Sequence, residues 1–401
     1  FIHDAKEESI NTILEMAQYK EQNLKALVVA GCLAERYKDE ILKEIPEIDA
    51  VPGTTSYDSI VEAVHTALEE NTGEHFEHYE SIDYLPDNSE VERVVTTGNH
   101  MAYLKIAEGC DKRCSYCIIP KIRGRFRSVP MQELLNEAKR LASEGVKELV
   151  LVAQETTLYG KDLTGEKQLP LLLHELCKIE GIEWIRLLYC YPEEITDELI
   201  KVIKTEEKVC NYIDMPIQHS ENRILQRMGR RTSREDLVAV IKKLRKEIPD
   251  ITIRTTLITG FPGESQEDHE GLMNFVDECQ FDRLGVFTYS PEEDTLAATF
   301  EDQIDEEVKE ERRDELMSLQ QEISYEHTQQ LVGKTIKVMV EGYLFEDDIY
   351  VGRSYMDAPK VDGCVFINSP EELMTGDFVY VKITQGREYD VIGEVDYEFT
   401  K

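Results

Sequence analysis

The 401-residue sequence predicts an α/β fold in three parts, and two features of its apolar pattern carry that prediction. Strand-like apolar runs alternate with amphipathic helices from the start of the chain to about residue 326, which favours parallel α/β layers. From residue 327 onward the apolar residues alternate with period two in short runs, which favours a small closed or half-closed β-barrel. A chain of this length is also too long for one simple core.

The first part, residues 1–75, is typical of about half of a doubly wound α/β domain. Residues 76–98 are polar and lack clear periodicity, which predicts a linker. The chain opens with Phe1 and has no signal-peptide pattern, so we expect that an upstream segment is missing. Helix, strand, helix, strand and helix patterns follow one another at residues 5–22, 25–33, 36–46, 49–53 and 57–70.

The second part, residues 99–326, contains six strand-like runs with amphipathic helices between them. Six β/α units in about 190 residues predict a complete or partial parallel barrel. Chemistry in such barrels collects at the carboxyl ends of the strands. The charged helix predicted over residues 302–331 is interpreted as a solvated connector. The six runs are residues 102–108, 147–154, 183–190, 211–217, 251–259 and 283–290.

Three cysteines, Cys110, Cys114 and Cys117, lie in the segment AEGCDKRCSYCIIP, directly after the first barrel strand. A structural zinc site needs four ligands, and no second CxxC pair occurs in the chain, although His100 or His219 is a possible distant fourth ligand. Three thiolates with one open position instead suit a catalytic metal centre. A cubane iron–sulfur cluster held by three cysteines leaves one iron open to an outside ligand.

The charge balance indicates which partners the protein favours. The chain has 45 Lys and Arg against 81 Asp and Glu, a net charge of −36. Residues 328–401 hold 7 basic and 14 acidic residues, so nucleic-acid binding by this third part is disfavoured. A basic protein partner fits this surface, although the charge is also explained by solubility alone. No apolar run is long enough to span a membrane, and nine cysteines without a secretory signal favour a cytoplasmic location.

The C-x3-C-x2-C spacing, with Tyr116 before the last cysteine, resembles the signature of the radical S-adenosylmethionine (SAM) superfamily. The resemblance implies that SAM chelates the open iron of a 4Fe–4S cluster through its amino and carboxylate groups. It also implies reductive cleavage of SAM to a 5′-deoxyadenosyl radical. Three arginines in residues 123–128 follow the loop and either form a carboxylate network or orient the substrate or cluster.

Further stretches narrow the resemblance to the methylthiotransferase family, and within it to the RimO branch, with an N-terminal truncation in this chain. The resemblance implies a flavodoxin-like first domain over residues 1–75, a radical-SAM domain over 99–326 and a TRAM β-barrel over 327–401. It implies methylthiolation of an aspartate β-carbon in the ribosomal protein S-twelve, free or in the small subunit. The stretches are VVAGCLAERYKDEILKEIPEIDAVPG, EGCDKRCSYCIIPKIRGRFRS, LVAQETTLYG, PIQHSENRILQRMGR, RTTLITGFPGES and APKVDGCVFI.

Two alternatives stay open beside this hypothesis. Sister branches of the family modify adenosine in tRNA with the same cluster chemistry, but they usually carry Ser where this chain has His219, and their TRAM domains are typically basic. A non-catalytic metal-binding module is the second alternative. The family also implies an electron donor such as flavodoxin or ferredoxin.

The resemblance implies a second 4Fe–4S cluster, for which only Cys32 of the three usual ligands is present. The other two normally precede the segment FIHDAK with which this chain begins, so we expect truncation rather than loss. Without the family, Cys32 is better interpreted as a buried thiol at a strand end.

Residues at the ends of the barrel strands are candidates to contact SAM. Gln154 is one, although a helix cap is its simpler role, and Gln218 is another. Arg254 is charged inside an apolar strand, which predicts a salt bridge or contact with the SAM carboxylate. Gly260 lets the backbone approach a ligand closely, but G-x-x-G also makes ordinary turns. His219 is expected to be a hydrogen-bonded structural residue more than a base.

Overall fold

The structure is a computed structural model and describes residues 3–69, 76–86 and 93–399. The chain divides into two compact units. The first unit comprises the described residues up to 86 together with 107–129 and 290–300, and the second comprises 93–106, 130–289 and 301–399. None of the helices in the described ranges is both long and apolar enough to cross a membrane.

Helices and strands alternate along most of the chain before a run of five strands. The helices are α1 (His3–Gln18), α2 (Cys32–Glu44), α3 (Ile60–Leu68), α4 (Ile119–Ile122), α5 (Met131–Ser143), α6 (Lys161–Thr164), α7 (Leu169–Cys177), α8 (Asp197–Thr205), α9 (Asn222–Arg227), α10 (Arg234–Glu247), α11 (Gln266–Cys279) and α12 (Glu306–Gln329). The strands are β1 (Ala50–Pro52), β2 (Phe76–His78), β3 (Met101–Lys105), β4 (Ala107–Glu108), β5 (Arg127–Ser128), β6 (Glu148–Val152), β7 (Trp184–Leu187), β8 (Val209–Asp214), β9 (Thr252–Thr259), β10 (Arg283–Thr288), β11 (Thr335–Leu344), β12 (Ile349–Ser354), β13 (Val365–Asn368), β14 (Phe378–Gly386) and β15 (Val391–Val395).

The first unit contains a small parallel β pair with helices packed around it. β1 pairs with β2, and Ala50 also bridges to Val28. The strand expected over 25–33 is therefore reduced to a single bridge, because the chain turns at Gly31, with φ of 107°, into helix α2. β2 lies inside the segment predicted as a linker. Apolar side chains of α1, α2 and the bridge region form the core: Ile13, Ala17, Leu27, Val29, Leu33, Ala34, Ile41, Leu42, Ile45, Ile48 and Val51.

The second unit is built on a six-stranded parallel sheet in the order β10-β9-β8-β7-β6-β3. This is the sequential order expected for a (β/α)6 partial barrel, so that prediction is confirmed. Capping boxes at Ser233 and Ser265 begin helices α10 and α11, because each hydroxyl accepts the N–H three residues on and the aspartate there accepts in return.

Strands β11 to β15 close into a small barrel in the order β11-β12-β13-β15-β14, which confirms the predicted C-terminal β-barrel. The strand β11 carries a bulge between Val340 and Gly342, which helps a short sheet to close. The inward side chains are mostly branched aliphatic residues, and they form a core of their own: Val338, Val340, Val365, Ile367, Val379, Val381, Ile383, Val391 and Val395.

The C-terminal barrel packs against the parallel sheet within the second unit. Trp184 of β7 and Phe378 of β14 meet edge to face, with ring centroids 4.8 Å apart. Trp184 belongs to a buried apolar cluster with Cys210, Tyr212, Met339 and Ala358. The C-terminal barrel therefore covers part of one sheet face.

Helix α12 is not the solvated connector expected from its charges. One face is buried, and it includes the cations Lys309 and Arg312 as well as Leu316 and Ile323. Lys309 Nζ donates to the Tyr289 carbonyl at 2.9 Å. These buried polar residues occupy helical positions that apolar side chains normally fill, so they conceal the amphipathic pattern in the sequence.

Candidate functional site

A short antiparallel hairpin closes the loop that carries the three cysteines. Strand β4 pairs with β5 at the two ends of the loop. Gly109, with φ of 77°, has no room for a side chain, because a Cβ atom would collide with the Arg125 carbonyl. At Gly124, with φ of 71°, a Cβ atom would collide with the Ile82 carbonyl and the Asp83 carboxylate. Both positions need glycine for conformation and for space, so the loop geometry is tightly specified.

The three cysteines lie along this loop with little exposure to solvent. Cys110 and Cys114 are buried and Cys117 is partly buried. The Cys110 N–H donates to the Gly124 carbonyl at 3.2 Å, and the Cys117 N–H donates to the Cys114 carbonyl at 3.1 Å. Burial raises the pKa of the Cys117 thiol, so a positive centre is needed to keep it as thiolate. Tyr116, which directly precedes Cys117 in the chain, is partly buried.

The loop fits an iron–sulfur cluster by the chemistry of its donors. Three thiols within eight residues, shielded from water, are the soft ligands that iron–sulfur centres use. Across residues 3–69, 76–86 and 93–399, no three His, Cys, Asp or Glu side chains already converge as the ligands of one metal ion. The fit therefore rests on donor type, spacing and burial.

Arg123 connects the cysteine loop to Cys32 within the first unit. Its Nη2 donates to Cys32 Sγ at 3.0 Å, and its Nη1 lies 3.5 Å from Glu108 Oε2. Burial lowers the pKa of Arg123, but the negative charge of Glu108 and the Cys32 sulfur outweigh burial and raise it. Arg127 lies 3.7 Å from Asp83, so two of the three arginines in residues 123–128 belong to a carboxylate network. Cys32 alone does not form a cluster site and stays a predicted ligand.

Arg254, predicted to meet a salt bridge or the SAM carboxylate, lies between two carboxylates of the second unit. Its Nη1 donates to Asp214 Oδ1 at 2.9 Å, and its Nε is 3.3 Å from Asp362 Oδ1 in the C-terminal barrel. Burial lowers the pKa of Arg254, but Asp214 and Asp362 outweigh it and raise the pKa. The observed partners favour the salt-bridge alternative.

Gln218 has an unusual backbone conformation beyond the end of β8. Its φ is 73°, in the left-handed region that non-glycine residues rarely adopt. Its N–H donates to the Thr256 carbonyl at 2.9 Å, and its carbonyl accepts the Ile258 N–H at 2.8 Å. These two hydrogen bonds to β9 hold the conformation. Such strain, kept in place by neighbouring strands, is typical of functional positions.

His219 is fully buried, and its ring nitrogens face a backbone N–H and a carboxylate, as expected for a structural residue. Its Nδ1 accepts the N–H of Glu221 at 3.0 Å, and its Nε2 lies 3.5 Å from Glu264 Oε2. Glu264 in turn pairs with Arg312 at 2.8 Å. His100, the other histidine considered as a distant ligand, lies 3.7 Å from Glu341. Both histidines thus face carboxylates.

Gly260 and Gln154 complete the predicted cofactor-contacting residues. Gly260 has φ of 66°, and a Cβ atom there would collide with the Lys309 side chain of α12. Helix packing therefore already explains this glycine. Gln154 follows β6 and is partly buried, next to the fully buried Glu155, which accepts the Thr157 N–H at 3.0 Å. Contact of either residue with SAM stays a prediction.

A buried charge network between the sheet and the C-terminal barrel was not predicted from the sequence. Glu148 accepts from Arg186 Nε at 2.8 Å and from Arg353 Nη2 at 2.6 Å. Asp214 and Glu148 are charged residues inside otherwise apolar strands. Arg254 was selected on this criterion, and the same criterion would have identified Asp214 and Glu148. The members of this buried charge network are Glu148, Arg186, Asp214, Arg254, Arg283, Arg353, Asp357 and Asp362.

Family models match three parts of the chain. The model of the radical SAM superfamily matches residues 104–276, which include the cysteine loop. The model of the TRAM domain matches residues 332–395, which correspond to the closed barrel. A model described as uncharacterized protein family UPF0004 matches residues 1–53.

Curated relatives match nearly the whole chain. The ribosomal protein uS12 methylthiotransferase RimO of Lachnoclostridium phytofermentans is 60% identical over 397 residues, covering 99% of this chain and 89% of the relative. The protein of the same name from Desulfitobacterium hafniense is 51% identical over 396 residues, covering 98% and 88%. Among solved structures, the cobalamin-dependent S-adenosylmethionine radical enzyme OxsB matches 80% of this chain and 46% of its own, at 14% identity and a TM-score of 0.49.

Proposed function

Because the chain belongs to the family of ribosomal protein uS12 methylthiotransferases, we propose that it methylthiolates the β-carbon of an aspartate in uS12 (S-twelve). The reaction replaces one β-hydrogen by a methylthio group. The observation that carries the proposal is the closed loop with Cys110, Cys114 and Cys117, in a chain that resembles these enzymes over nearly its full length. The enzyme is a radical SAM methylthiotransferase that uses SAM and 4Fe–4S clusters.

The three loop cysteines would hold the SAM-binding cluster. When bound, this cluster and SAM supply the radical that removes the β-hydrogen of the aspartate. The chain's own contribution is to fix the loop through β4, β5, Gly109 and Gly124 and to exclude water from two of the thiols. Cys32, held by Arg123, is kept as a proposed ligand of the second cluster.

Further residues are proposed to position SAM. Gln218 is the candidate best supported by its surroundings, because its strained backbone is fixed by two hydrogen bonds to β9. Arg254 is better suited to organising the sheet, because two carboxylates already neutralise it. Gln154, Gly260 and Tyr116 stay proposed contacts on the strength of the family resemblance.

The C-terminal barrel supports a protein substrate over tRNA. Arg353 forms ion pairs with Glu148 and Glu341, and Lys337 forms one with Glu183. The remaining basic residues of this barrel are outnumbered by acidic ones, so the barrel has few cations left to neutralise phosphates. A strongly basic ribosomal protein fits this charge, and a cytoplasmic location follows from such a substrate.

The test uses the full-length protein, reconstituted anaerobically with iron and sulfide and supplied with SAM and a reductant. Recombinant uS12, small ribosomal subunits and tRNA are assayed in parallel. We expect the mass gain of one methylthio group on an aspartate of uS12, free or in the subunit, and none on tRNA. Modification of tRNA alone would refute the proposed substrate. Zinc at one equivalent, without an iron–sulfur absorption band, would favour the metal-binding module.

A further inference from the structure

The cysteine loop is a basic island in an acidic protein. Residues 107–129 contain six Lys and Arg and two Asp and Glu, whereas the whole chain has a net charge of −36. Three of the six basic side chains, those of Arg113, Lys121 and Arg125, are exposed. Positive charge concentrated at one place on such a surface selects the partner that can approach there.

Two of these cations line a cavity that reaches the first cluster cysteine. The cavity has a volume of about 490 Å³, and its wall includes Cys110, Arg113 and Arg125. The cavity wall also contains two acidic side chains, and both are hydrogen-bonded to the backbone. Asp83 accepts the Arg125 N–H at 2.8 Å, and Asp111 accepts the Phe126 N–H at 3.3 Å.

The guanidinium groups of Arg113 and Arg125 differ from the other loop arginines. Within the part of the chain that the structure describes, neither is held in an ion pair, whereas Arg123 and Arg127 face Glu108 and Asp83. An exposed cation without an intramolecular partner contributes little to folding. Two such cations at one cavity are available to a partner.

We propose that Arg113 and Arg125 form the docking surface for the acidic protein that delivers the electron to the cluster. Acidic one-electron carriers of the flavodoxin type are repelled by the rest of this surface, so the basic island orients them toward Cys110. In the transfer the carrier loses one electron and the cluster gains one. The proposal rests on the proposed function only because it takes the cysteine loop as the cluster site.

The observations favour such a carrier over RNA. Two or three cations neutralise too few phosphates for useful RNA affinity, particularly against a net charge of −36. Electron-transfer encounters, in contrast, use small interfaces and depend on electrostatic steering. The cavity is small and its wall contains a predicted cluster ligand, as a brief electron-transfer contact requires.

The first experiment measures binding, independently of any activity. Oxidised flavodoxin is titrated with the protein at low ionic strength, and complex formation is followed by the anisotropy of the flavin fluorescence. We expect R113E/R125E to weaken binding by about tenfold or more, and we expect the difference to fade near 0.5 M salt. R113K/R125K keeps the charge and should bind nearly as the parent does.

The second experiment follows reduction of the reconstituted cluster by stopped-flow absorbance. The ratio of the flavodoxin-driven rate to the dithionite-driven rate should fall about tenfold in R113E/R125E, because only the protein donor needs the docking surface. The matched control is K201E/K246E, which changes the net charge equally at exposed lysines of the second unit and should leave both rates unaltered. Circular dichroism and iron content verify that each variant is folded and loaded.

Equal flavodoxin binding by R113E/R125E and the parent would overturn the proposal. So would an equal loss in K201E/K246E, because that would reduce the effect to net charge. If R113E/R125E instead lost binding to single-stranded polyuridine, the basic island would be a nucleic-acid contact. None of these results touches methylthiolation of uS12 with dithionite as reductant, so the proposed function is judged separately.

Discussion

Two arginines of the cysteine loop, Arg113 and Arg125, and the arginines of the buried charge network are the same residue type in opposite situations. Arg113 and Arg125 are exposed in the first unit. Arg186 and Arg353, in the second unit, are almost fully buried and share the carboxylate of Glu148. Burial by itself raises the pKa of Glu148, but the two guanidinium groups outweigh burial and hold the pKa below its usual value.

This difference separates charges that stabilise the fold from charges that we propose to bind a partner. A buried ion pair is costly to break, because removal of one member leaves the other unpaired away from water. An exposed cation can be changed with little effect on folding. We therefore expect substitutions in the buried charge network to change stability and substitutions in the cysteine loop to change chemistry.

The largest effect is expected for Cys114→Ala in the cysteine loop. Loss of one of three thiolates should abolish cluster binding at the loop, so formation of 5′-deoxyadenosine should fall to background while the thermal unfolding midpoint changes little. Chromatography of the reaction products measures the first quantity and circular dichroism the second. Cys364→Ala, a partly buried thiol of the C-terminal barrel, is the matched control. Undiminished SAM cleavage by Cys114→Ala would contradict the assignment of the cluster site.

The next largest effect is expected for Glu148→Gln, the shared carboxylate of the buried charge network. This change leaves Arg186 and Arg353 buried without their common anion, and it should lower the free energy of unfolding by about 3–5 kcal/mol. Denaturant titration measures it. Glu207→Gln, at an exposed position, should stay within about 0.5 kcal/mol of the parent. A change at Glu148 no larger than at Glu207 would mean that the network does not stabilise the second unit.

Much of the fold and part of the candidate site could be predicted from the sequence. The six β/α units predicted a partial parallel barrel and the period-two pattern after residue 327 predicted a small β-barrel. Both predictions are confirmed, because burial enforces these periodicities. The spacing of the cysteines identified the loop. Arg254 was recognised as a charge inside an apolar strand, and the structure supplies its two carboxylates.

What the sequence could not give were the pairings between distant segments. Glu148 and Arg353 are 205 positions apart, and no local pattern indicates that a residue of the C-terminal barrel will neutralise one in the sheet. The buried cations Lys309 and Arg312 hid the buried face of α12 for the same reason, because the Tyr289 carbonyl and the Glu264 carboxylate that accept from them lie outside the helix. Gly260 similarly faces Lys309, a contact that only the folded chain creates.

The pH dependence of the free energy of unfolding should show a smaller effect, which comes from the ionisation of Glu148 in the buried charge network. The pKa of Glu148 is lowered in the folded state, so its ionisation stabilises the fold above the unfolded pKa, near 4.3, and this contribution is lost as the pH falls through the folded pKa. The free energy of unfolding should therefore fall more steeply below about pH 4.5 in the parent than in Glu148→Gln. Urea titrations from pH 7 to pH 3.5 measure the two slopes, and parallel slopes would contradict the lowered pKa.

The smallest effect is expected for Arg125→Gln in the cysteine loop, set against Arg353→Gln in the buried charge network. Both variants remove one guanidinium charge, but only Arg353 is buried against carboxylates, those of Glu148 and Glu341. Arg125→Gln should leave the free energy of unfolding within about 0.5 kcal/mol of the parent, whereas Arg353→Gln should cost several times more. Thermal and denaturant unfolding compare the two directly. A loss above about 1 kcal/mol for Arg125→Gln would show that this arginine is needed for folding and is not reserved for a partner.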